Sequence, residues 1–188
     1  MSVDWDNCWN KKATAECDDP IEISGFEKLP SLDTEIAAKM LLELLKIQPG
    51  DNVLEVGCGA GLLARHIQSY CNYVGTDRSL AMIKKTIKLN GFSALRCNAN
   101  DLVFKDKSFD HVFAFGVFHY FPNHDYAAKC ISEMKRVSRK SVCISDLPVE
   151  SHEPSHLLFD EQFFAGWLIT DPFYKREHRR FTATLFLS

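Results

Sequence analysis

Apolar positions along this chain fall into two alternating rhythms. Val53-Leu54-Glu55-Val56 is a short run rich in β-branched residues, too short for a helix, and it predicts a buried strand. Leu62, Leu63 and Ile67 follow at helical spacing, so the chain turns from strand to helix within a few residues. The same alternation recurs. Asp33 to Ile47 places Ile36, Met40, Leu41, Leu44 and Leu45 three and four apart, with Asp33 as N-cap and Pro49-Gly50 as a stop. Tyr73–Thr76, Ser93–Cys97, Phe113–Val117 and Val142–Ile144 read as further strands. Between them, one helix carries Leu80, Ile83 and Ile87 up to Gly91. Another carries Ala127, Ala128, Ile131, Met134 and Val137 from Asn123 to Arg139. A short helix over Phe159–Trp167 and strands over 166–170 and 180–187 complete the pattern. Strands alternating with helices predict a mostly parallel α/β sheet. Residues 1–30 show no sustained period and predict an irregular arm.

Composition narrows the class. A chain of 188 residues suits one α/β domain with a sizeable core. Net charge is -3, which removes any broad electrostatic case for binding nucleic acid. The seven cysteines are scattered without a CxxC pair, as expected of reduced thiols in the cytoplasm. No apolar run approaches the ~20 residues of a membrane span, and no signal peptide is expected at the start.

Chemistry concentrates where strands end. Gly57, Gly59 and Gly61 follow the first strand, where an α/β sheet presents backbone to a ligand. The dinucleotide fingerprint G-x-G-x-x-G fails here, because Leu62 stands where its last glycine belongs. A nicotinamide oxidoreductase is therefore the weaker reading, and a turn without any ligand stays open. Asp77 lies 20 positions after Gly57, at the tip of the second strand, where a carboxylate can accept from both ribose hydroxyls of an adenosyl ligand. Its alternative is a helix cap, although Ser79 is placed for that. Met82 fits either against an adenine or in the core. Asp110 precedes the fourth strand and predicts a structural tie. His119 is the histidine placed to accept a proton near neutrality, or else a satisfied loop residue. Asp146 follows the fifth strand at the same edge and is a second candidate for substrate or proton. His152 and His156 are four apart, but Pro154 between them argues for a loop and against a metal site. The run 175–180 is basic and predicts a solvated turn.

The stretch Glu55-Val56-Gly57-Cys58-Gly59-Ala60-Gly61 resembles the first motif, E/D-x-G-x-G-x-G, of class I S-adenosylmethionine (SAM) dependent methyltransferases, in particular small domains of the type 11 kind. The resemblance extends over roughly residues 33–187. It implies a three-layer, doubly wound, Rossmann-like sheet of seven strands in the order 3-2-1-4-5-7-6, the last strand antiparallel. It implies SAM as cofactor and S-adenosylhomocysteine (SAH) as product. Around the glycines it assigns Glu55, Gly57, Cys58, Gly59 and Gly61 to the cofactor, and after the second strand Asp77, Arg78 and Met82. In Cys97-Asn98-Ala99-Asn100-Asp101-Leu102, Asn98 stands where the family keeps an acid on the adenine amino group, with Ala99 and Asn100 beside it. Phe115 and Gly116 would flank the cofactor through backbone. His119, Tyr120 and Asp146 are the candidates for catalysis or acceptor contact. The segment 1–32 would act as an arm or lid, with Trp5 and Trp9 over the site, ahead of a methyltransferase domain over 33–188. The family's basic-Val-Leu-x-Pro-Gly-Gly turn is here Arg136-Val137-Ser138-Arg139-Lys140-Ser141. The expected activity is methyl transfer to a small molecule, on oxygen or nitrogen, by a cytoplasmic monomer or homodimer without nucleic-acid or membrane partners. A SAM-binding subunit without turnover is the alternative.

Overall fold

The computed structural model describes residues 3–26, 29, 32–151, 153–175 and 177–188; His152 and Arg176 of the sequence reading lie outside that set. Strand β1 (Asn52–Val56) is central. It pairs in parallel with β2 (Asn72–Asp77) on one side and β4 (Phe109–Phe115) on the other. β2 pairs with β3 (Ser93–Arg96), and β4 with β5 (Ser138–Pro148). β7 (Arg180–Phe186) returns antiparallel to β5 and carries β6 (Leu168–Thr170) at the edge. The order is β3-β2-β1-β4-β5-β7-β6, as predicted.

Alternation along the strands builds two cores. Val53 and Phe113 face one layer, with α3 (Thr34–Leu45) and α4 (Ala64–Ile67). Leu54, Val56, Val112 and Ala114 face the other, with α6 (His124–Val137). Because β1 and β4 are covered on both faces, their sequences are nearly continuous apolar runs.

The helices formed where expected but are turned. On α3 the buried apolar positions are Ala37, Ala38, Leu41 and Leu45, whereas Ile36 is 52% and Met40 38% exposed. Two alanines let this helix lie close to the sheet. On α5 (Leu80–Asn90) Met82, Ile83 and Thr86 face inward, and Leu80 and Ile87 face solvent. The helix after the glycines starts only at Ala64. The Phe159–Trp167 helix reduces to a 3-10 turn over Glu161–Phe164. β5 is far longer than the three residues expected, because Arg139 and Lys140 join the strand and pair with Asp110 and Asp51. The N-terminal segment is not irregular. It forms α1 (Trp5–Thr14), capped by Asp4, and α2 (Pro20–Ile23), capped by Asp19 with Pro20 opening the helix.

Candidate functional site

The cleft lies at the carboxyl ends of β1, β2 and β4, with α1 across it. It runs from the glycine bend and Asp77 to Trp5 and Trp9 of α1. Gly57 and Cys58 N–H groups both donate to Thr76 O (2.8 and 2.9 Å), which folds the chain sharply back after β1. Gly57 has φ +77°, and a Cβ there would meet Val117 Cγ2 at 2.6 Å. Only glycine allows that approach. Above Gly59 the space is open: a Cβ would find nothing nearer than Ser24 Oγ at 3.9 Å.

Asp77 organises the floor. One carboxylate oxygen accepts from Gly59 N (3.0 Å) and the other from Ser79 N (2.8 Å), while Ser79 Oγ caps α5 through Met82 N (3.1 Å). The side chain is therefore held by backbone on both sides of the bend and still lines the cleft. Burial pushes its pKa up, against the two backbone hydrogen bonds. Glu55, on β1, is 2% exposed and accepts from the Tyr73 hydroxyl. Burial raises its carboxyl to about 8. The Cys58 thiol is also pushed up by burial, so it is a small apolar wall rather than a nucleophile.

The other predicted residues separate into two groups. Trp5, Trp9, Arg78, Met82, Ala99, Phe115, Gly116 and Tyr120 line the cleft. Tyr120 meets Trp5 and Trp9 edge to face at 4.7 and 4.9 Å. Asp6 of α1 pairs with Arg78, and Asn10 Oδ1 accepts from Ser79 Oγ (2.7 Å), so α1 closes directly onto the cleft's floor. Five predicted positions lie elsewhere, among them Gly61, where a Cβ would meet Thr86, Asn90 and Phe92 rather than the cleft. Asn98 is exposed, its carbonyl accepting from Asp101 N (3.1 Å), and its neighbours Cys97 and Ala99 supply the wall instead. His119 is 2% exposed and packs behind Tyr120 and against His156 (4.0 and 4.6 Å between centroids). Asp146 is buried, its carboxylate accepting from Tyr174 Oη (2.7 Å) and paired with Arg180 (3.1 Å). A bulge in β5 turns Asp146 to φ +66° and inward, away from the cleft. Asn100 does not line the cleft either.

Ser24, Phe26, Val117, Phe121 and Tyr126 line the cleft without having been singled out. Phe26 stacks on Phe115 at 5.7 Å and 20°, a long-range contact with no local signature. Among the described residues no group of three metal-ligating side chains occurs.

Residues 54–144 match the family described as methyltransferase domain. The chain is 30% identical over 90 residues to the probable tRNA methyltransferase 9B of Homo sapiens; the match spans 48% of this chain and 19% of that protein. Its fold is similar to that of magnesium protoporphyrin IX methyltransferase from Synechocystis PCC 6803, solved with bound SAH. That likeness has a TM-score of 0.68 at 15% identity and covers 97% of this chain and 93% of the other. A SAM dependent methyltransferase from Aquifex aeolicus gives a TM-score of 0.65 at 18% identity, covering 95% and 98%.

Proposed function

We propose that this chain, whose residues 54–144 match a methyltransferase domain, is a class I, SAM-dependent enzyme that methylates a small organic acceptor held beneath α1. The observation that carries this reading is the open hollow over Gly59 beside a cleft-lining carboxylate, Asp77. Backbone that a ligand can approach without a Cβ in the way, and a carboxylate with two accepting oxygens at the tip of the second strand, are what an adenosyl ribose requires. When bound, the cofactor supplies an electrophilic methyl on a positive sulfur.

The protein's share is positioning. Asp77 accepts from the ribose hydroxyls, and Met82, Ala99 and the Cys97 backbone enclose the base. Phe115 and Gly116 bound the cofactor's far end, in front of Phe26. Trp5, Trp9 and Tyr120 exclude water and orient the acceptor, so residues 3–26 act as a lid on the domain that begins at Asp33. Such orientation can supply about 7–11 kcal/mol of the barrier. His119 and Asp146 would act on this site by supporting Tyr120 and Gly116.

A nucleic-acid acceptor is the class in the human relative's name. The cleft opposes it here, because Arg78, the one basic side chain among the described residues that line it, is held by Asp6 and α1 roofs the mouth. We read the protein as a monomer or homodimer. The free state of every cysteine suits the cytoplasm, and no helix among the described residues is long and apolar enough to cross a membrane.

Calorimetry with SAM and SAH tests the reading. Asp77→Ala should weaken binding by about 1.5–3 kcal/mol. Unchanged affinity in that variant, or a wild-type protein that binds NAD(P)H and not SAH, would remove it.

A further inference from the structure

Ser24 brings a hydroxyl from the N-terminal segment to the glycine bend. Its Oγ faces the hollow over Gly59, 3.9 Å from where a Cβ would stand, and the residue lines the cleft. The chain is anchored on both sides of it. Ile23, 2% exposed, packs with Ala60 of the bend and with Met82. Phe26 stacks on Phe115, and its ring edge would lie 3.0 Å from a Cβ on Gly116. Between these anchors, Gly25 N and Phe26 N donate to Glu22 O and Ile21 O (3.0 and 2.9 Å), which fixes the turn that carries Ser24. The hydroxyl is thus held over the bend by a segment outside the sheet.

The bend spends its own donors inside the protein. Gly57 N and Cys58 N donate to Thr76 O, Gly59 N to the Asp77 carboxylate, and Gly61 N to Cys58 O. Those four N–H groups hold the loop in shape rather than facing a ligand. An anion lying over Gly59 meets the Ser24 hydroxyl instead, and a hydroxyl can rotate to donate.

Resting on the methyl-transfer reading above, with the ribose at Asp77 and the cofactor's far end at Gly116, we infer that Ser24 donates a hydrogen bond to the cofactor's carboxylate. The amino-acid tail then crosses Gly59, and the N-terminal segment completes the cofactor site as well as roofing the acceptor. A hydrogen bond to a charged oxygen is roughly twice as strong as one between neutral groups. Ser24 is fixed before the ligand arrives, so little of that strength is lost to ordering. The two contacts divide the work. Asp77 reads the ribose, which every adenosine shares, whereas Ser24 reads the tail that sets SAM and SAH apart from other adenosines.

Two ligands isolate the contact: SAH, and decarboxylated SAH, the same molecule with hydrogen in place of its carboxylate. Calorimetry on the wild type comes first. If neither ligand binds, the methyl-transfer reading goes, and this inference with it. Where SAH binds, the wild type should prefer it to the decarboxylated ligand by at least about tenfold. Ser24→Ala should lose about tenfold in SAH affinity and change that for the decarboxylated ligand by less than about twofold. Thermal unfolding of that variant without ligand should match wild type. Ser24→Thr, which retains a hydroxyl, should retain the preference. With SAH bound by the wild type, equal losses for both ligands, no loss for SAH, or a preference that survives Ser24→Ala in full would overturn the assignment of Ser24 alone.

Discussion

At the amino ends of β1, β4 and β5, Asp51 and Asp110 sit among Lys140, Arg139 and His111. At the carboxyl ends of β1 and β2, Glu55 and Asp77 receive a tyrosine hydroxyl and backbone N–H groups instead. Burial alone would raise all four carboxyls. At the amino end, hydrogen bonds from Arg139, Asn52 N and Lys140 overcome it and bring Asp110 down to about 2. Lys140, Gln48 N and His111 lower Asp51 in the same way. His111 is itself lowered by burial, against Asp51, and its Nδ1 lies 2.8 Å from Ser141 Oγ. That Ser–His–Asp row resembles catalytic machinery, yet it is buried at the edge where these sheets do not bind ligands. At the carboxyl end nothing overcomes burial, and both acids stay raised. One end is closed and compensated. The other keeps acids unneutralised, the usual mark of a site.

The contrast can be broken most severely at the glycine bend. Gly57→Ala combines a left-handed backbone with a 2.6 Å approach to Val117. It should cost about 2–5 kcal/mol in stability and abolish SAH binding, measured by urea denaturation and calorimetry. Asp110→Asn, outside the cleft, should leave SAH affinity intact.

Glu55→Gln should act in the opposite sense. A carboxyl raised to about 8 contributes fully below its unfolded value and loses that contribution as pH rises toward 8. The variant should match wild type near pH 4 and exceed it by about 4 kcal/mol at pH 8. A constant difference across that range would refute the buried, protonated state. Asp110 carries the reverse slope. Its contribution is full above the unfolded value and disappears as pH falls through about 2. Asp110→Asn should therefore cost about 2 kcal/mol at pH 7 and nothing near pH 2. The smallest effect is expected at the mouth, where Asp6 and Arg78 are each about half exposed. Asp6→Asn should speed hydrogen exchange in α1 by about twofold, ~0.4 kcal/mol, with unfolding of the domain unaltered.

Much of this was legible from residues alone. The mostly parallel sheet followed from the alternation and the strand order from the family likeness, and the bend with Asp77 was placed by spacing. Helix faces were less legible. Large apolar residues such as Ile36, Met40, Leu80 and Ile87 looked buried, but Ala37, Ala38 and Thr86 pack more closely, and close approach is what burial rewards. α1 escaped notice because it docks through Trp9, Asn10, Ala15 O and Asp6 rather than an aliphatic stripe.

Local chemistry thus determined the strands, the glycine bend and the carboxylate at its side, because those depend on backbone freedom and near-neighbour spacing. Tertiary structure decided which polar residues face the cleft. His119 and Asp146 were drawn into the interior, and Asn98 was left outside, while Trp5, Phe26 and Tyr126 arrived from distant segments. Side-chain direction at a strand's end turns on one bulge or one 3-10 turn, and residues far apart in the chain set both.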